Sequence, residues 1–145
     1  MVMSRVIAFL GAVLLVVATL SGQSASAQGS AAAGGVVGDA EHGRYLVEQV
    51  AMCGECHSTR DTQGNIVPGT RFMGGPMPFR PQWSADWPVS APRIAGLPGY
   101  TDELAVRLLT QGAIKRDGTP LRRPMPAFRM TPQDAADVIA YLRSR

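Results

Sequence analysis

Three observations predict an all-α domain in which three or more helices and long loops wrap around something that is not protein. Three segments carry apolar residues at helical spacing between recognisable caps. No segment alternates in the period-two pattern of a half-buried strand. More than forty residues rich in Gly, Pro and aromatics separate His57 from Tyr100. A loop of that length is out of place in a compact domain unless it encloses a bulky group. Three helices and coil bury too little apolar surface by themselves, so that group must itself be large and apolar.

The first helix is expected from the N-cap Asp39 through AEHGRYLVEQVAM. Ala40, Gly43, Val47 and Val50 recur on one face, and Leu46 widens it. Gly43 costs about 1 kcal/mol relative to Ala inside a helix. It is either an uncompensated weak spot or a place where another helix comes close. A second helix begins at Thr101, with Asp102 and Glu103 in the first turn, where the dipole favours anions. Its buried face is Leu104, Ala105, Leu108 and Leu109, and Gly112 ends it. The last helix has Thr131 as N-cap, Pro132 at N1 and Asp134 at N3, a variant of the capping box. Ala135, Val138, Ile139 and Leu142 form its stripe, with Arg143 and Arg145 at its negative end.

The 145 residues divide into three stretches. Residues 1–27 have the early charge Arg5, the apolar run VIAFLGAVLLVVATL and the small-residue site Ala25-Ser26-Ala27, the pattern of a cleavable secretory signal. The run falls short of the roughly 20 residues of a membrane span; the alternative is an uncleaved anchor that tethers the chain to a membrane. Residues 28–38 are small and read as a flexible linker, and 39–145 make one domain. The formal charge is +3 with basic residues dispersed, which does not resemble the dense basic face of a nucleic-acid binder. One local cluster, Lys115, Arg116, Arg122 and Arg123, is either an ordinary solvated loop or a docking face for an acidic partner.

Both cysteines and one of the two histidines fall in Met52-Cys53-Gly54-Glu55-Cys56-His57. A thioredoxin-like disulfide would need a βαβ setting, which this chain lacks. A structural zinc site wants four ligands, and the other histidine, His42, stands roughly 22 Å from His57 along a straight helix at 1.5 Å per residue. The third reading is C-x-x-C-H haem attachment, in which the thiols add across the vinyl groups and the adjacent histidine ligates the iron. It also fits an exported chain. One covalent haem c, held by Cys53, Cys56 and His57, is the reading adopted.

A methionine on the opposite face of the haem should lie far along the chain. Met52 adjoins the anchor, Met130 precedes the last helix's cap, and Met73 and Met77 lie in the Gly-rich loop. Met125 stands between Pro124 and Pro126, which stiffen the backbone around it. Met125 is the expected ligand, with Met77 and Met73 as alternatives.

GDAEHGRYLVEQVAMCGECH and DGTPLRRPMPAFRMTPQDAADVIAYLRS together resemble the class I cytochromes c, in particular the haem domains associated with bacterial periplasmic and membrane-bound dehydrogenases. The resemblance covers about Gly38 to Arg145. It implies that Cys53 and Cys56 form thioethers, that His57 and Met125 are the axial ligands, and that Gly43 and Tyr45 cross Tyr141 and Leu142. It also implies that a proline carbonyl downstream receives the imidazole N–H, for which Pro68 is the candidate. The family's Asn-Ile-Thr stretch appears here as Arg93-Ile94-Ala95, a departure that bears on the loop's haem contacts. Many dehydrogenase haem subunits of this kind carry several haem domains, whereas this chain has one.

The expected function is single-electron transfer in the periplasm, between a dehydrogenase and a respiratory acceptor such as a terminal oxidase, with no bond chemistry of its own. The rivals are a haem enzyme or gas sensor with an open distal position, and an obligate haem subunit of a dehydrogenase complex.

Overall fold

The computed structural model describes residues 31–32, 36–112 and 115–145. The expected signal, residues 1–27, lies outside the described residues, as do 28–30 and 33–35 of the expected linker. Asp39 caps α1 (Ala40–Tyr45) as its position predicts, its carboxylate accepting from the amides of Glu41 and His42. The helix then widens into a π-helical stretch, Leu46–Val50, closed by the Ala51 N–H on the Leu46 carbonyl at 2.8 Å. The wider turn rotates the residues after it off the α-helical stripe. Val47 is therefore fully buried while Val50 is exposed. The helix also stops short of the expected Met52, which turns left-handed at φ 47°.

Helix α2 (Asp102–Thr110) starts on the Thr101 hydroxyl, which accepts from the Leu104 amide, and gives way to Gly112 at φ 87°. Helix α3 (Pro132–Arg143) has the expected box: the Thr131 hydroxyl accepts from the Asp134 amide and donates to its carboxylate at 2.8 Å. The single expected stripe is too narrow, because every residue from Ala135 to Leu142 is buried. α3 is the central element, packed by α1 on one side, by α2 on another and facing a cavity on a third.

The α1–α3 crossing explains Gly43. A Cβ there would lie 1.9 Å from the Asp137 carbonyl oxygen, so only glycine allows the approach. Asp137, missed as a core residue, is 2 % exposed and fully bonded. It accepts from the Asp39 amide (2.7 Å), the Gln133 side-chain amide (2.8 Å) and His42 Nδ1 (2.7 Å). Tyr141 also meets Gly43, and its ring stands edge-on to Phe72. Its hydroxyl donates to Glu48, and burial, with that carboxylate beside it, pushes its pKa up to about 12. Tyr45, the other expected crossing residue, is instead more than half exposed and stacked beside His42. Tyr45 precedes the π-helical stretch, and Val47 takes the buried position.

Among the described residues two small antiparallel ladders complete the architecture: β1 (Ala31–Ala32) with β2 (Val36–Val37), and β3 (Gly75–Pro76) with β4 (Ser90–Ala91). Packing begins upstream of the expected boundary at Asp39, since Gly38 is buried against α3 and Gln133 donates to the Val37 carbonyl. The long loop is anchored rather than loosely wrapped. Phe72 is buried, its amide bonded to Ser58 Oγ and its carbonyl to the amides of Ile94 and Ala95. Arg143, at the end of α3, donates to the carbonyls of Gly96 (2.7 Å) and Tyr100 (2.6 Å) and pairs with Asp102 (2.9 Å). One guanidinium thereby joins the loop and α2 to α3. Among the described residues no helix is long and apolar enough to cross a membrane.

Candidate functional site

After the extension of α1 ends and Met52 turns left-handed, Cys53–Glu55 forms a 3₁₀ turn. The His57 amide donates to the Cys53 carbonyl at 3.0 Å, which brings His57 one turn beyond Cys53. Both cysteines are free thiols, so the disulfide reading has no support here. Burial pushes the Cys53 thiol up to about 11, which keeps it protonated and leaves it far from the low-pKa thiolate of a redox-active pair.

His57 is buried and held from two sides. Its carbonyl accepts from the Gly74 amide (2.9 Å), and its Nδ1 lies 2.7 Å from the Pro92 carbonyl. A carbonyl can only accept, so Nδ1 must carry the proton. Burial lowers the imidazole's pKa, so the neutral ring is favoured and Nε2 keeps its lone pair. That is the tautomer a metal-ligating histidine uses, oriented through its other nitrogen.

The carbonyl partner is Pro92 and not the expected Pro68. From Thr59 to Thr70 the chain folds back on itself, with Val67 N–H donating to Thr59 and Thr70 N–H to Val67, and Pro68 is left exposed on the outside. The β3–β4 ladder instead carries the carbonyl in: Gly74 precedes β3, Pro92 follows β4, and both bond to His57. Pairing of strands that flank a long excursion leaves no local signal, and Pro92 is one of several prolines between His57 and Tyr100.

Cys53, Cys56 and His57 line one cavity of about 720 Å³ with Met125. Its walls are mostly apolar: Ala105, Leu108 and Leu109 come from α2, and Val138, Ile139 and Leu142 from α3. They are among the residues expected on the inner faces of the two helices; Leu104, expected beside them on α2, is only half-buried and does not line the cavity. Met52, Met77 and Met130 reach the same cavity, whereas Met73 is exposed and does not line it. The alternative of Met73 thereby loses its footing. The Arg123–Pro124 peptide before Met125 is cis. Lys115, Arg116 and Arg122 line the cavity, while Arg123 turns into a neighbouring recess. His42 is bonded to Asp137 at the helix crossing and is not among the cavity's lining residues.

The residues fit a haem. The cavity is of ligand size, within the usual 300–1,000 Å³ or so, and its apolar walls suit a macrocycle. Two thiols and a neutral imidazole stand along it, and the thioethers of Met52, Met77, Met125 and Met130 line it as well. Residues 40–145 match the family model described as Cytochrome c. A comparison with curated proteins gave no match.

Proposed function

Since the chain belongs to the cytochrome c family and has its all-α fold, we propose that it is a periplasmic electron carrier with a single haem c bonded through Cys53 and Cys56 and ligated by His57 and Met125. The observation that carries the reading is the His57 geometry: Nδ1 donates to Pro92 inside an apolar cavity that also holds both thiols. When bound, the haem supplies a reversible one-electron couple between iron(III) and iron(II).

The chain's own residues do the rest. Pro92 fixes the imidazole plane, and Gly74 fixes the backbone beneath it. The α2 and α3 side chains exclude water, and a Met/His ligand pair in such surroundings favours a comparatively high potential. Pro124 and Pro126 hold Met125 in a restricted backbone, which suits a weak thioether ligand. The haem-enzyme reading lacks a distal histidine, because His42 is engaged at the helix crossing. An obligate dehydrogenase subunit would use the same mechanism and differ only in its partner. Electrons would come from a dehydrogenase and leave to a respiratory acceptor. Residues 1–27 would direct export and be removed on translocation, and an uncut leader would tether the protein to the membrane.

The test is a denaturing gel stained for haem peroxidase, followed by acid–acetone extraction and a redox titration of the native protein. The band should stain, resist extraction and titrate as one electron per chain. Haem that leaves with the solvent would contradict the thioether bonds. The mass of protein recovered from the periplasm should correspond to a chain beginning at Gln28.

A further inference from the structure

Between Met77 and Val89 the chain leaves the body of the protein and returns. The Met77 amide donates to the Val89 carbonyl at 2.9 Å, and the β3–β4 ladder lies immediately beneath. This excursion keeps much of its apolar surface in solvent. Trp83 is 87 % exposed, Val89 78 % and Phe79 55 %. Aromatic surface held out this way on a small domain marks an interaction site. Trp87 leans on Phe79 with ring centroids 5.4 Å apart, and its indole N–H is buried without an acceptor.

The excursion does not stand alone. Trp83, Ser84, Asp86 and Trp87 face Arg122 and Arg123 across a recess of about 570 Å³. Arg122 lines both this recess and the His57 cavity, and Met77 and Pro88, at the two ends of the excursion, also line that cavity. The aromatic and basic surface is therefore continuous with the place where electrons would leave.

We propose that this face is the docking surface for an acidic redox protein. The proposal rests on the electron-carrier reading above. Partner carboxylates would pair with Arg122 and Arg123, since guanidinium groups take carboxylates two-pronged. An apolar spot on the partner would cover Trp83, and Trp and Arg are the residue types that dominate interface energetics. Asp86 is the one acidic residue in the recess, so a second copy of this chain would bring arginine against arginine. Charge complementarity thus selects an acidic partner over self-association.

The experiment uses the holoprotein, reduced, with a purified blue-copper protein bearing an acidic surface patch as oxidant. A neutral-surfaced blue-copper protein and a small cationic cobalt(III) complex serve as controls. Arg123→Glu should slow oxidation by the acidic protein about tenfold at low salt and converge on wild type at high salt. Trp83→Ala should slow it about three- to tenfold at both salt concentrations, because its contribution is not screened. Trp83→Ala should not change the rate with the cobalt complex at either salt concentration, and Arg123→Glu should not slow it, raising it at most at low salt because the complex is cationic. Chemical-shift mapping with a redox-inactive form of the acidic protein should place the perturbations at residues 79–89 and 122–123. Equal effects with the neutral protein, perturbations elsewhere, a dimer weakened by Trp83→Ala, or binding to anionic vesicles that depends on Trp83 would each overturn the proposal. A holoprotein that no oxidant can oxidise would instead count against the carrier reading, and the mapping would still decide the docking face.

Discussion

The α1–α3 crossing and the Leu121–Met130 segment are built by opposite means, although α3 and that segment wall the same cavity. At the crossing, backbone meets backbone at Gly43, and one buried carboxylate accepts three hydrogen bonds that link both helices and the cap. The segment around Met125 is joined to α2 by the Met130 amide on the Leu109 carbonyl (3.0 Å) and stiffened by Pro124 and Pro126. One region owes its rigidity to packing and buried polar bonds, the other to covalent rings. Stability should therefore sit at the crossing, while the distal segment should set what the metal sees. Damage to each region should then appear in different measurements.

The largest expected effect is that of Gly43→Val. The new side chain would collide with the Asp137 carbonyl, and separating the helices should cost about 3 kcal/mol in urea unfolding of the holoprotein. A variant as stable as wild type would break the comparison. Asp137→Ala should come next at about 2 kcal/mol, because the Asp39 amide and the Gln133 side chain lose a buried acceptor. Its visible spectrum should stay that of wild type once folded. Thr131→Ala removes the cap of α3 and should cost about 1 kcal/mol, read as a lower urea midpoint at constant m-value.

The smallest effect is a pH dependence. The hydrogen bond to Asp137 raises the His42 pKa above 6.5. Burial alone would raise the Asp137 carboxyl, but the bonds from His42, the Asp39 amide and Gln133 hold it below 3.8. The His42 contribution is complete below 6.5 and is lost as pH rises through its higher folded value; the Asp137 contribution is complete above 3.8 and is lost as pH falls through its lower one. The pair is at full strength between those two values. His42→Gln should accordingly lower Tm more at about pH 5 than at about pH 9. A Tm difference independent of pH would remove the pair from the account of the crossing.

Legibility in the sequence divides along the same line. The caps Asp39 and Thr131 are local signals, and each acts in the structure as its position predicted, while Thr101, expected as the first residue of α2, is its N-cap. Gly43 was legible as a question, whose answer needed the other helix. The five-residue haem-attachment pattern was legible because its residues are neighbours. Pro92 was not, since its role depends on two strands pairing around a long excursion. The π-helical widening after Tyr45 and the burial of Asp137 were equally hidden, one arising from packing and the other from partners almost a hundred residues away. The aromatic excursion could be noted only as a Gly- and Pro-rich stretch, because nothing in its local pattern states that Trp83 faces solvent beside Arg123.

The central claim is that the distal segment, and Met125 in particular, completes the site opposite His57. The direct measurement is the weak far-red sulfur-to-iron(III) absorption of the oxidised holoprotein, recorded for Met125→Ala, Met77→Ala, Met130→Ala and Met52→Ala, the four methionines that reach the cavity. The account predicts that the band disappears in Met125→Ala alone and that this variant, still folded, binds carbon monoxide when reduced. A band that survives in Met125→Ala and vanishes in one of the other three would contradict it.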